Sequence, residues 1–412
     1  MNPPELEPTG AAASHAPVSP ATQPPPEPGV VATGGTSAQP AAGQPLTVAP
    51  PASWNEPLIA QLAAELGAAV HTDAFGPLLA IGAQRLPADG CGVSLLAEMG
   101  VLDVAGAEAS TFLHGQLTQD IEHLAPGMAR WAGYCSAKGR LMASLRVWRS
   151  EDRIRLALSR PLARPIAKRL AMFVLRAKAK VTDASDACVV FGLMGQATAQ
   201  AFVAQTQAHD PGSRLMVPSA EASSVTERAE LVGLPTVHMG GATAIPRWLL
   251  IVPAELATAT WQGLLALAPA ISPQAWRHGE VLSGVPRIVS GTSECFVPQM
   301  VNFESVDGVS FTKGCYPGQE VVARSQYLGK LKRRMFLGHG QGILPQPAQD
   351  VYREEAEGGE PCGQVVMAAP DGAGGFDVLF ESQLDAAQAG TVRIGDAVVR
   401  VGTLPYALKA ID

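Results

Sequence analysis

Lys313-Gly314-Cys315-Tyr316-Pro317-Gly318-Gln319-Glu320, with Arg324 four residues beyond, is the densest run of chemistry in this 412-residue chain. Pro317-Gly318 is a strong turn signal, and Gly314 reads as the residue that lets the backbone bend beside Cys315. The thiol is therefore expected on a constrained loop. Lys313 and Arg324 are both expected near the sulfur, where positive charge would favour the thiolate, the nucleophilic and metal-binding form. A plainer reading of the same residues makes Cys315 a small apolar filler and Glu320–Arg324 an i,i+4 helix pair. Local chemistry leaves both readings open.

Outward from this run, composition bounds the rest. A charged fraction of 16% beside a hydrophobic fraction of 47% suits large buried interiors, and the length suggests two or three globular units. A net charge of -7 argues against general nucleic-acid binding by bulk electrostatics, and no apolar run is long enough for a membrane helix. Six scattered cysteines, none in a CxxC pair or at zinc-ligand spacing from a histidine, argue against a structural metal. With no basic residue before Arg85 and no signal-peptide pattern, they point to a cytoplasmic protein.

Residues 1–52 hold 13 prolines and no aromatic residue, so the segment is expected to be disordered. Asn55 and Pro57 read as the start of a helix carrying Leu58, Leu62 and Leu66 to Gly67. A mixed region follows. It holds a strand near Leu102, a helix through Phe112 and Leu117, strands at 141–148, 154–158 and 248–252, and helices after Pro165 and over 256–267. From about residue 330, short strands at 334–338, 363–367, 376–380, 391–394 and 397–401 alternate with turns, predicting a small β-barrel or sandwich. The expected fold is α+β and multi-domain: 53–329 as two subdomains, then a barrel over 330–412.

The run KGCYPGQEVVAR resembles the signature of the YgfZ family, relatives of the glycine-cleavage T-protein. Phe112 to Asp120 (FLHGQLTQD), Tyr134 to Arg140 (YCSAKGR) and Leu404-Pro405-Tyr406, taken as a closing strand, resemble further family segments. The likeness spans roughly residues 93–412. It implies a ring of domains around a tetrahydrofolate pocket, with Trp276 as a folate-contacting tryptophan and Met99 where the family has a second one. Thr118 and Asp120 read either as contacts to the polar edge of the pterin or as helix-end residues. Gly314, Tyr316, Gly318, Gln319 and Glu320 are assigned to shaping the loop, and Cys315, Lys313 and Arg324 to its chemistry, with transient iron–sulfur contact at Cys315.

The resemblance implies support of iron–sulfur cluster assembly or repair in client enzymes, including the radical-SAM enzyme that methylthiolates tRNA. The alternative is a folate-dependent aminomethyl or methyl transferase. T-proteins carry an aspartate in the strand after the Lys-Gly turn, whereas Arg140 to Val147 (RLMASLRV) holds no carboxylate, which removes an acid–base group from that alternative. A second family carboxylate is likewise not evident, since Val281-Leu282-Ser283-Gly284 stands in its place, with Glu280 nearby. The basic residues between Arg160 and Lys180, and Lys330 to Arg334, read as a landing site for an acidic group or as a solvated surface. His114 and His278 read as hydrogen-bonded side chains.

Overall fold

The computed structural model describes residues 57–239, 244–327, 331–354 and 359–409. The expected disordered segment, the Asn55 cap and Lys330 lie outside them. Helix α1 (Pro57–Leu66) begins on proline, whose missing N–H costs nothing in a first turn, and buries Ile59, Leu62 and Ala63. A hairpin of β1 (Val70–Asp73) and β2 (Gly76–Leu79) leads to β3 (Gly92–Leu95), β4 (Met99–Ala105) and α2 (Ala109–His114). Strands β5 (Ala129–Cys135), β6 (Leu141–Ser150) and β7 (Arg153–Ser159) run into α3 (Arg160–Val174). That helix starts ahead of the Pro165 that the sequence suggested as its beginning. Pro165 sits inside it, at a position where the carbonyl left unbonded belongs to the first turn.

Then come β8 (Lys180–Asp183), β9 (Cys188–Met194) and α4 (Gln196–His209), a helix the periodicity did not reveal. Its buried face is Thr198, Ala199, Phe202 and Val203, so small and polar residues supply half of what an apolar stripe would show. Strands β10 (Ser223–Val225), β11 (Glu230–His238) and β12 (Ala244–Pro253) precede α5 (Ala257–Leu265) and α6 (Pro273–Leu282). The Ser272 hydroxyl caps α6 by accepting from the Ala275 amide at 3.1 Å.

Two antiparallel sheets form the larger part, in the orders β5-β6-β7-β4-β8 and β10-β11-β12-β9-β3. One apolar cluster unites Met99, Val101 and Trp148 of the first with Val190, Leu249 and Ile251 of the second and Trp276 of α6. The signature run ends in the first turn of α7 (Gln319–Tyr327). Strands β13 (Arg333–Gln341), β14 (Asp350–Arg353), β15 (Gly363–Pro370), β16 (Gly375–Gln383), β17 (Thr391–Ile394) and β18 (Ala397–Val401) close into a barrel, with α8 (Leu384–Gln388) between β16 and β17. The α+β class with a C-terminal barrel is as expected. Leu404-Pro405-Tyr406 is not a strand: it follows β18, and the Tyr406 hydroxyl donates to the Gly284 carbonyl at 2.7 Å, because Gly284 lacks the Cβ that would meet the ring.

Candidate functional site

Lys313 is buried, and its Nζ donates to the Leu117 carbonyl at 2.6 Å and to the His114 carbonyl, tying the signature loop to the end of α2. The ammonium also sits 4.9 Å from the centre of the Tyr316 ring. Burial draws its pKa down to about 8, against the opposing charges of Asp120 and Cys315. Tyr316 is buried, whereas Cys315 is exposed and free. Gln319 braces the turn: its Oε1 accepts from the Tyr316 amide at 3.3 Å, and its own amide donates to the Tyr316 carbonyl at 3.2 Å.

Of the two bends read from the sequence, Pro317-Gly318 forms and the one at Gly314 does not need its glycine. Gly314 is outside the left-handed region, and a Cβ there would make ordinary contact with His114 Nε2 at 3.6 Å. Gly318 carries the turn, at φ +79°, where a Cβ would stand 2.6 Å from the Gly139 nitrogen and collide with the Ser136 carbonyl oxygen. Gly139, at φ +71°, is matched to it, since its own Cβ would lie 2.7 Å from Val321. The Lys138-Gly139 and Pro317-Gly318 turns, remote in sequence, thus rest directly on each other. Glu320 and Arg324 are both exposed on α7, and neither has a hydrogen bond or ion pair among the described residues, so the i,i+4 pair does not form.

Beside the loop, Asp120 bridges two histidines, with His114 Nδ1 at 3.0 Å and His123 Nδ1 at 2.9 Å. Burial pushes the Asp120 carboxyl upward, but hydrogen bonds from the His123 amide and ring hold it below its ordinary range. Thr118 is fully buried; its hydroxyl donates to the Gly308 carbonyl at 2.6 Å and accepts from the Gly133 amide at 2.7 Å. Both residues therefore serve the loop's surroundings, and neither lines the cavities described next.

A cleft of about 800 Å³ lies between the sheets and the approach to the signature loop, with Gln119, Arg130, Trp131, His238, Phe311 and Tyr406 in its wall. Phe311 and Thr312 belong to it, which places the loop's stem in the cleft and Cys315 three residues further on. Behind Trp131 and Arg146, shared by both spaces, is a recess of about 40 Å³ lined also by Met99, Arg247, Glu280 and Arg287. Buried atoms with no hydrogen-bond partner among the described residues converge here: Nε of Arg146, Nε and Nη1 of Arg247, Nε and Nη2 of Arg287, and Oε2 of Glu280. Burial pulls Arg146 down to about 9 and Arg247 to about 10, with Glu221 and Glu280 respectively working against it. Glu280 Oε2 lies 3.0 Å from Arg287 Nη2 as an ion pair, so the recess wall is strongly polar and holds more cation than anion.

Of the residues named for the pterin, Met99 lines the recess, and its sulfur receives the Arg287 Nη1–H at 3.0 Å. Trp276 stands behind it, fully buried, packed on Gly192 with the Arg247 guanidinium 5.2 Å from its ring centre. Sequence reading passed over Arg146, Arg247 and Arg287. Their signal was an arginine inside an apolar run, as in Leu145-Arg146-Val147 and Pro246-Arg247-Trp248.

This architecture is that of the glycine-cleavage T-proteins. Aminomethyltransferase T of the glycine cleavage system from Bartonella henselae superposes with a TM-score of 0.62 at 16% identity, covering 86% of this chain and 99% of that one. In sequence, the chain is 30% identical to tRNA-modifying protein YgfZ of Colwellia psychrerythraea over 319 residues, covering 76% of this chain and 93% of the relative. YgfZ of Serratia proteamaculans is 32% identical over 321 residues, covering 76% and 92%, and that of Escherichia coli O127:H6 is 27% identical over 338, covering 81% and 98%. The chain belongs to the YgfZ family. No family profile matches it.

Proposed function

We propose that this protein binds tetrahydrofolate in the cleft and uses the Cys315 thiol to support iron–sulfur-dependent tRNA modification, through assembly or repair of clusters in the modifying enzymes. The observation that carries the proposal is the signature loop itself, whose stem, Phe311 and Thr312, walls the cleft while Cys315 stands exposed just beyond. The residues suit the cofactor. Trp131 offers an aromatic face, the recess wall carries Arg146, Arg247, Arg287 and Glu280, and the cleft volume is of the size that holds a cofactor. Bound tetrahydrofolate supplies one-carbon carriage at its ring nitrogens. Met99, Trp131 and the arginines would hold and orient it, and Trp276 would support them from behind through Arg247. Lys313 fixes the loop to the end of α2 and lends the thiol a nearby positive charge, with Arg324 free to meet an acidic partner.

Relatives named as tRNA-modifying proteins support the setting. The absence of any carboxylate from Arg140 to Val147 favours this reading over aminomethyl transfer. The test replaces the chromosomal gene with Cys315→Ser and measures methylthiolated tRNA by mass spectrometry. Methylthiolation is expected to fall severalfold while the variant protein stays at wild-type abundance. Undiminished methylthiolation would remove the thiol from the mechanism. Tetrahydrofolate titrated against intrinsic fluorescence should quench it, and a flat response with the wild-type chain would remove the cofactor.

A further inference from the structure

The run from Arg160 to Lys180 holds seven of the chain's 30 lysines and arginines and no acidic residue, in a protein whose net charge is -7. Helix α3 sorts them. Its inner side, with Leu162, Ala163, Ile166, Ala167 and Leu170, joins the main core, and Arg160 is buried against Asp186 at 2.7 Å. Arg164, Lys168 and Ala171, spaced by four and three, form one exposed stripe that Leu175 extends past the helix end. We propose that this stripe is a docking surface for an acidic amphipathic segment of a partner protein. Its apolar side chains would cover Met172 and Leu175 while its carboxylates meet Arg164, Lys168 and Arg176. The inference stands on α3 alone and would hold if the folate or the thiol half of the proposed function failed.

Two observations carry it. The first is uncompensated charge: Arg164, Lys168, Arg176, Lys178 and Lys180 are all exposed, and none has an ion pair among the described residues. The second is apolar surface set directly among those cations. Met172 is 64% exposed and Leu175 87%. Leu175 ends the helix at φ +46°, in the left-handed region where glycine is the usual residue. A leucine there costs backbone strain and leaves its side chain in water, and no described residue covers it.

The same features choose among anionic partners. Single-stranded RNA would need an aromatic ring open to a base, and the ring of Phe173 already carries the Arg169 guanidinium, 5.9 Å from its centre. An anionic bilayer would meet a broad face of an acidic molecule and not the stripe alone. A protein segment meets only the stripe, with apolar groups at its centre and charged groups at its rim.

The stripe also lies one short helix from the signature loop. The Glu108 carboxylate, just ahead of α2, accepts the Lys178 amide at 2.6 Å, and the His114 carbonyl at the far end of α2 accepts from Lys313 Nζ. The six residues of α2 span about 9 Å, so a partner of domain size seated on α3 also reaches the loop.

The test uses the full chain and three defined probes. They are a fluorescein-labelled amphipathic peptide of about 18 residues, with leucine on one face and glutamate on the other, vesicles of phosphatidylcholine and phosphatidylglycerol, and bulk tRNA. The peptide is expected to bind the wild type about tenfold more tightly than Arg164→Glu/Lys168→Glu, and rising salt should narrow that gap. A version with lysine in place of glutamate should prefer the double variant. Leu175→Gly relieves the positive φ, so it should melt no lower than wild type yet bind the acidic peptide severalfold more weakly. Loss of fold cannot imitate that pair of results. Arg214→Glu, which reverses an exposed charge beyond α4, should bind as the wild type does. Equal affinity in all these proteins, or no binding of the peptide, would overturn the proposal. Vesicles or tRNA bound in preference to the peptide, with the same dependence on Arg164 and Lys168, would give the stripe to that partner and overturn it as well.

Discussion

At the scale of single residues, Lys313 is the most informative. With its pKa drawn to about 8 it is charged at neutral pH and increasingly neutral above that value. On the proposed function, the charge it offers the Cys315 thiol belongs to the acid side of pH 8. Lys313→Met is expected to slow alkylation of Cys315 by iodoacetamide severalfold at pH 7, and the gap should narrow as pH rises through 8. Peptide-resolved mass spectrometry reads the rate separately from Cys135, Cys188 and Cys362, which are buried. A gap that widens with pH would show that the lysine acts otherwise. The sign for stability follows too. The unfolded lysine keeps its proton to the ordinary value of 10.5, so between about 8 and 10.5 the unfolded chain holds more protons and this group's contribution to stability rises with pH.

At the scale of elements, the joined turns make a sharp contrast. Gly318→Ala forces a Cβ into backbone at a positive φ and is expected to lower unfolding stability by about 1–3 kcal/mol in urea titration. Gly314→Ala meets only van der Waals contact and should stay within about 0.5 kcal/mol of wild type. The reverse order would contradict the geometry. This contrast also marks how far the sequence could be read. Pro317-Gly318 was legible as a turn because proline and glycine act locally, but the reason Gly318 must be glycine lies at Gly139, which only the fold brings near. Strands β6, β7 and β17 were visible from runs of apolar residues, as was α5. Helix α4 was hidden by its small and polar inner face, and β14 by burying only Val351 of its four residues. Cys315 could be singled out because it stands in a short run of unusual residues. The recess escaped because Arg146, Arg247, Glu280 and Arg287 come from three distant stretches, and each alone resembles a surface charge.

At the scale of the whole molecule, the barrel is fastened to the sheets through buried polar groups. Arg334 of β13 pairs with buried Glu304, and Asn302 donates from Nδ2 to the Met335 carbonyl at 2.8 Å. His278 of α6 meets Asp377 of β16 at 2.7 Å, which ties the helix bearing Glu280 to the barrel wall. Glu304→Gln strands the Arg334 charge and is expected to cost about 3–5 kcal/mol, measured by urea unfolding. A loss below about 1 kcal/mol would mean that water reaches this seam. Closure of the barrel has a consequence of its own. Its strands spend their backbone donors and acceptors on one another around the circuit, so a visiting polypeptide finds no margin there on which to lay down an extra strand. On the proposed function, a client enzyme would meet that end of the protein through side chains, and a screen of extended peptides against it should return no binder whose backbone adds a strand to the barrel.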